Sequence, residues 1–312
     1  MRAGLSSALK WAWIVLVVAV AGLMVWRSRG DIAAMLAQMS AWWLAASTVL
    51  LLAAKMLLAE NARIAAVRVG LSLDFPTAAR LYNLSQLGKY LPGSIWQFVG
   101  RAAAYRDRGG EYGQIRDCLL IETLWLIAGA VTVAVALSGA TILAVVMESL
   151  TPLALGWLAG LLAAGGLGLF ILLIARRNLV TSWLRLAMPS PAVIAVQAGI
   201  WTLLGLSFWV LAWACDMDVA VLPTIGLFAG AYAIGFLVPF APAGLGVREG
   251  ILVLGLLPWA AAGEARAVTV MARLIYLLVE LGLALVPEAI VSARRRKSGR
   301  KPGHDTRRDA QL

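Results

Sequence analysis

Histidine is all but missing from this chain: the one copy, His304, lies in a basic C-terminal tail. Histidine-based acid–base chemistry and histidine metal sites are therefore excluded from the apolar body. Cysteine is nearly as scarce. Cys118 and Cys215 are the two copies, and in the topology read below they fall on opposite sides, which excludes an intrachain disulfide and gives no redox information. No phosphate-binding P-loop and no dinucleotide fingerprint is present, so an ATP-driven pump is not expected without a partner subunit. Neither enzymatic activity nor a cofactor is expected. Charge is the third shortage: 14% of the 312 residues are charged and 62% are hydrophobic, with a mean hydropathy of +0.85. A soluble domain of this size is excluded, and the fold class is an all-α polytopic membrane protein.

What is present is long apolar runs. Five are plain: Trp11 to Trp26, Ala41 to Ala59, Cys118 to Met147, Leu153 to Ala175 and Ile194 to Cys215; a sixth runs from Ala267 to Val291. At about 1.5 Å per residue each reaches across a hydrocarbon core of about 30 Å, the first by borrowing its flanks and the third with tilt or a kink at Gly139. Arg2 and Lys10 precede the first run as in a secretory signal, but Trp26, Arg27 and Arg29 follow it without a small-residue cleavage pattern. It reads as a retained helix.

Basic residues gather between the second and third runs, after the fourth (Arg176, Arg177, Arg185) and in the tail. These segments are expected in the cytoplasm, with both termini. The turns with Glu148, and with Asp216 and Asp218, are acidic and fall on the other side. Residues 294–312 hold eight bases and two acids, 8 − 2 = +6 of the net +11. Such a tail reads as disordered and attracted to an anionic leaflet, at about 1 kcal/mol per base. No aromatic residue interleaves its bases, so nucleic acid is not an expected partner.

Twenty-five residues separate Pro76 from Arg101, and twenty-five separate Pro223 from Arg248. Pro76, Thr77, Gly88, Pro92 and Arg101 answer to Pro223, Thr224, Gly235, Pro239 and Arg248 at a constant offset of 147. This reads as an internal repeat, with copies over 41–147 and 194–291 inside a transmembrane domain of residues 1–293. An odd number of crossings between the copies makes the repeat inverted. About six full transmembrane helices and two re-entrant or broken hairpins are expected. In the first hairpin Pro92 and Gly93 punctuate KYLPGSIWQFVGR; in the second Pro239, Pro242, Gly244 and Gly246 punctuate VPFAPAGLGVREG. Both stretches are expected to break within the membrane, exposing helix ends and amides that suit a phosphate or carboxylate.

The Lys89-Tyr90-Leu91-Pro92-Gly93 stretch with Trp96, Gly100 and Arg101, and the stretch from Pro242 to Glu249, resemble the signatures of the lysylphosphatidylglycerol synthase transmembrane-region family. That family is the flippase half of bacterial multiple peptide resistance factors. The resemblance covers roughly residues 10 to 291 and implies a multi-pass protein of the bacterial inner membrane that handles phospholipids, hopanoids or polyprenyl-linked sugars. The chain ends about twenty residues past its last apolar run, so the aminoacyl-transferase domain, and with it lipid aminoacylation, is not expected.

Charges inside the apolar runs are the remaining candidates, because each costs about 2.5–3.5 kcal/mol at a helix centre unless it meets a partner or a wet cavity. Lys55 and Glu60, Glu122, and Arg273 and Glu280 form the expected intramembrane network. Lys55 with Glu60 reads equally as a helix-end ion pair or a transport element. Glu122 and Arg273 are placed to pair across the pseudo-twofold axis, and Arg273, Tyr276, Leu277 and Glu280 share one helix face. Arg101, Arg248, Glu249, Lys89 and Gln97 are the expected headgroup-binding set, although Arg101 also reads as a cap on its hairpin. Trp11, Trp13, Trp42 and Trp43 suit interfacial anchors, and Trp96 a cavity wall. Gly156/Gly160 and Gly226/Gly230 match a close-packing pattern.

Two functions fit these residues. One is translocation of an anionic phospholipid, polyprenyl-phosphate or hopanoid-type lipid between leaflets. The other is a non-transporting subunit that presents lipid within a lipid-modification or glycosyl-transfer complex. Expected partners are membrane lipids and the anionic leaflet surface, with a second copy or a lipid-synthesis enzyme as alternatives.

Overall fold

The computed structural model describes residues 40–91, 95–149, 183–238 and 242–297, with side chains to 139 and 289 in the second and last stretches, and a few isolated positions before residue 40. Most of the first apolar run, the fourth run, the tail beyond Lys297, Pro92, Gly93 and Pro239 lie outside the described residues; the tail's first four residues, 294–297, expected to be disordered, are helical.

Eight helices carry the described fold: α1 (Ala41–Arg68), α2 (Phe75–Gln86), α3 (Trp96–Arg106), α4 (Tyr112–Ser149), α5 (Pro191–Trp213), α6 (Val221–Leu237), α7 (Val247–Leu256) and α8 (Ala262–Lys297). No strand occurs among the described residues. α1, α4, α5 and α8 are long and apolar enough to cross a membrane. Their starts are set locally. At α5 the Ser190 hydroxyl accepts the Val193 N–H and Pro191 takes the first helical position, where its missing donor is harmless. α4 runs as one continuous helix through Gly139 over 38 residues. Glycine in a helix interior is tolerated where neighbouring helices support the backbone.

The other four helices are too short to cross. At about 1.5 Å per residue, the 12 residues of α2 and 11 of α3 reach about 18 and 17 Å, and the 17 of α6 and 10 of α7 reach about 26 and 15 Å. They form two helical hairpins. The first turns through a 3-10 segment at Leu87–Tyr90 and the second through one at Pro242–Gly244. Pro76 and Pro223, landmarks of the sequence repeat, both fall in the first turn of a hairpin's leading helix.

Element order therefore recurs: long, short, turn, short, long. The starts of α5, α6, α7 and α8 follow those of α1, α2, α3 and α4 by 150, 146, 151 and 150 residues (191 − 41, 221 − 75, 247 − 96, 262 − 112). α1 and α5 share the most extensive interface. Ser47 pairs with Ser207, and Asn61 with Gln197, so one helix ascends as the other descends. This corresponding pair thus runs antiparallel, the geometry an inverted repeat produces. The remaining contacts are exchanged in the same sense: α4 packs on α6, and α8 packs on α2. Arg80 of α2 pairs with Glu288 of α8. An offset of 147 carries Arg80 onto Leu227, next to the point where Gly226 of α6 meets Ser138 of α4. Gly226, read as a packing glycine, sits where any Cβ would strike that serine.

Gly88 and Gly235 show why glycine recurs at the hairpin bends. A Cβ on Gly88 would lie 2.6 Å from the Gln97 nitrogen, and one on Gly235 would lie 3.2 Å from the Arg248 Cβ. Each glycine lets the first arm of its hairpin press against the start of the second. Because the obstacle at Gly88 is backbone, Gly88→Ala is expected to destabilise the protein by about 1–3 kcal/mol. Gly235→Ala, which meets a side chain at longer range, should cost less. Thermal melting in detergent reads the order, and equal melting points would remove this explanation.

Candidate functional site

The two hairpin bends touch, and a cavity of about 200 Å³ opens between them. Lys89, Ile95, Gln97 and Phe98 line it from the first copy; Tyr232, Gly235, Phe236, Ala243, Gly244 and Arg248 line it from the second, with Arg273 and Tyr276 from α8. Among the described residues its wall carries three cationic side chains and no carboxylate.

One face of α8 holds both bends in place. Glu280 accepts from the ammonium groups of Lys55 and Lys89 through the same oxygen, Oε1. Its Oε2 accepts the Tyr90 hydroxyl at 2.7 Å. Seven residues earlier, Arg273 Nη2 donates to the Ala243 carbonyl at 3.2 Å. Spacings of three, four and seven put Arg273, Tyr276 and Glu280 on one helix face, as the sequence indicates. The second bend is built from left-handed backbone: φ is +52° at Ala243, +72° at Gly244 and +82° at Gly246. Glycine adopts this region freely and alanine does not. Glu249 then caps α7 by accepting the Gly246 N–H at 2.7 Å, and its other oxygen lies 3.5 Å from Arg273 Nε.

The repeated arginines have different surroundings. Arg101, 2% exposed, donates through Nη1 to both oxygens of Glu122 at 2.5 and 2.6 Å. It is a buried, neutralised pair and does not line the cavity. Arg248, 7% exposed, has no carboxylate within ion-pair distance among the described residues. Its guanidinium instead lies 4.4, 4.9 and 5.5 Å from the rings of Phe228, Tyr276 and Tyr232, where ring quadrupoles attract it. The offset of 147 that carries Arg101 onto Arg248 carries Glu122 onto Thr269. Thr269 is 2% exposed and its hydroxyl has no hydrogen-bond partner among the described residues. Among the described residues the second copy keeps the arginine without a carboxylate beside it.

Of the headgroup set read from the sequence, Lys89, Gln97 and Arg248 line the cavity, whereas Arg101 and Glu249 lie behind it, each engaged with an interior partner. Two expected pairings are corrected. Lys55 does not meet Glu60; five residues turn a helix by about 140°, so the two point apart. Glu60 takes Arg63 at 2.6 Å, with both partly exposed, and Lys55 takes Glu280. Glu122 and Arg273 do not pair across the axis either. The hairpin helix next to each supplies a nearer partner: Arg101 from α3 and Glu249 from α7. Trp96 does not line the cavity; its neighbours Ile95, Gln97 and Phe98 do. Pro92, Gly93 and Pro239 lie outside the described residues, and Pro242, Gly244 and Gly246 shape the second bend.

Two features escaped sequence reading. Tyr90, Tyr232 and Phe228 carry no charge, so a search for costly intramembrane ions passes over them. Their signal lies in the rule that a buried cation seeks aromatic faces. A polar chain also crosses the core: Trp201 Nε1 donates to Gln197, Gln197 Nε2 donates to Asn61 at 2.9 Å, and Asn61 Nδ2 donates to the Glu122 carbonyl at 3.3 Å. It ties α5, α1 and α4 together behind the Arg101 pair.

No curated protein matches the chain significantly. A family model described as the lysylphosphatidylglycerol synthase TM region matches residues 12–284. With four membrane-crossing helices and a match over most of its length, the chain belongs to that family and is a multi-pass membrane protein of lipid-related function.

Proposed function

We propose that the chain binds an anionic lipid headgroup in the cavity between the hairpin bends and carries it from one leaflet to the other. The observation that supports this best is a cation-lined, carboxylate-free cavity shared by two copies that run in opposite directions. A site on the axis of an inverted repeat is presented to either side by rocking one copy against the other. Arg248, with Lys89 and Gln97, supplies the headgroup contacts, and the apolar walls at Ile95, Phe98 and Phe236 leave the acyl chains toward the bilayer. A cavity of about 200 Å³ suits a headgroup and not a whole lipid.

On this reading the protein moves lipid without chemical change, sits in a bacterial inner membrane with both termini cytoplasmic, and uses its basic tail against the anionic leaflet. Reconstitution into liposomes containing a fluorescent anionic phospholipid tests the proposal through quenching of the outer leaflet. Exchange well above that of empty vesicles is expected. Background exchange across phospholipid, polyprenyl-phosphate and hopanoid probes would instead favour a subunit that only presents lipid.

A further inference from the structure

Five cationic side chains lie in the interior of the described residues: Lys55, Lys89, Arg101, Arg248 and Arg273. Three carboxylates face them: Glu122, Glu249 and Glu280. Glu122 balances Arg101 and Glu249 balances Arg273. Glu280 alone meets both Lys55 and Lys89, which leaves one positive charge there. The second surplus charge is Arg248. Uncompensated charges are costly in a low-dielectric interior, and these two come to the surface at one place, since Lys89 and Arg248 line the same cavity from opposite copies. Arg101 meets Glu122, whereas no carboxylate among the described residues lies within ion-pair distance of Arg248. No carboxylate among the described residues supplies the missing negative charge.

We infer that the cavity is completed by a doubly charged phosphate, so that the lipid it selects is a phosphomonoester or diphosphate and not a phosphodiester. Arg248 takes two of its oxygens through the guanidinium fork and Lys89 a third, bridging the two copies. This deepens the headgroup reading and rests on it. A free phosphate offers the same charge, but the Ile95, Phe98 and Phe236 walls beside the cations favour a phosphate that carries a lipid tail.

The test measures binding and not transport, so it can fail separately from the translocation proposal. The full chain in detergent is titrated at pH 8 with dihexanoyl phosphatidic acid, dihexanoyl phosphatidylglycerol and inorganic phosphate, following melting by tryptophan fluorescence. At that pH a phosphomonoester, with a second pKa of about 6, is doubly ionised, whereas the diester carries one charge. Phosphatidic acid is expected to bind about tenfold or more tighter than phosphatidylglycerol, and inorganic phosphate more weakly than phosphatidic acid. Lys89→Gln leaves Glu280 with Lys55 and Tyr90 and should shrink the preference to about threefold or less, chiefly by weakening phosphatidic acid. Equal binding of the two lipids by the wild type, or an unchanged preference in Lys89→Gln, would overturn the inference. Inorganic phosphate binding as tightly as phosphatidic acid would overturn its lipid half.

Discussion

Glu280→Ala is expected to destabilise the fold by about 3–5 kcal/mol. Glu280 is 1% exposed and its carboxylate is the shared acceptor for Lys55, Lys89 and Tyr90. Without it Lys55 remains charged in the closed interior and Lys89 loses its carboxylate partner at the cavity wall, and an unpaired buried charge costs far more than a formed pair contributes. The loss also frees the first hairpin bend, whose Lys89 and Tyr90 are tied to α8 through this residue alone among the described ion pairs. Lys55→Met added to Glu280→Ala should recover part of the stability, because it removes one of the two orphaned charges and puts apolar volume in its place. Thermal and denaturant melting in detergent measures both variants. A Glu280→Ala protein within about 1 kcal/mol of wild type, or no recovery in the double variant, would show that α8 does not hold the bend in this way.

How far this arrangement can be read before folding is clearest from single residues. Pro76, Gly88 and Arg101 announce the repeat because their roles are local. A proline belongs in a helix's first turn, a glycine belongs where two backbones press together, and an arginine inside an apolar chain demands a partner. The constant offset of 147 carries those roles to Pro223, Gly235 and Arg248. The shared face of Arg273, Tyr276 and Glu280 is legible from helical spacing alone. Partner choice is not, because it depends on how helices far apart in the chain cross. Glu280 and Lys55 are 225 residues apart, and nothing in the run around Lys55 distinguishes this partner from nearby Glu60. Arg101 and Arg248 look equivalent in sequence, yet among the described residues only Arg101 has a carboxylate in reach. That difference depends on which side chains the neighbouring helices bring within reach, which the Gly, Pro and Arg landmarks do not carry.

Arg248→Ala should leave the fold standing and remove the function. No carboxylate is orphaned by its loss among the described residues, so melting should stay within about 1 kcal/mol of wild type apart from the cost of a small cavity. Arg101→Ala makes the opposite comparison: it strands Glu122, 3% exposed, and should lose about 3–5 kcal/mol of stability. For a headgroup phosphate the charge-assisted hydrogen bonds of a buried arginine contribute about 2–5 kcal/mol, and 2 kcal/mol corresponds to a factor of about thirty. Arg248→Lys keeps the charge but loses the planar fork, and should fall between wild type and alanine. The decisive measurement is leaflet exchange of a fluorescent anionic phospholipid in liposomes holding matched amounts of wild-type, Arg248→Lys and Arg248→Ala protein of verified fold. Exchange is expected to fall in that order, with the alanine variant at least about thirtyfold slower than wild type. Wild-type exchange that persists undiminished in folded Arg248→Ala would contradict the assignment of the cavity between the two hairpins as the headgroup's path.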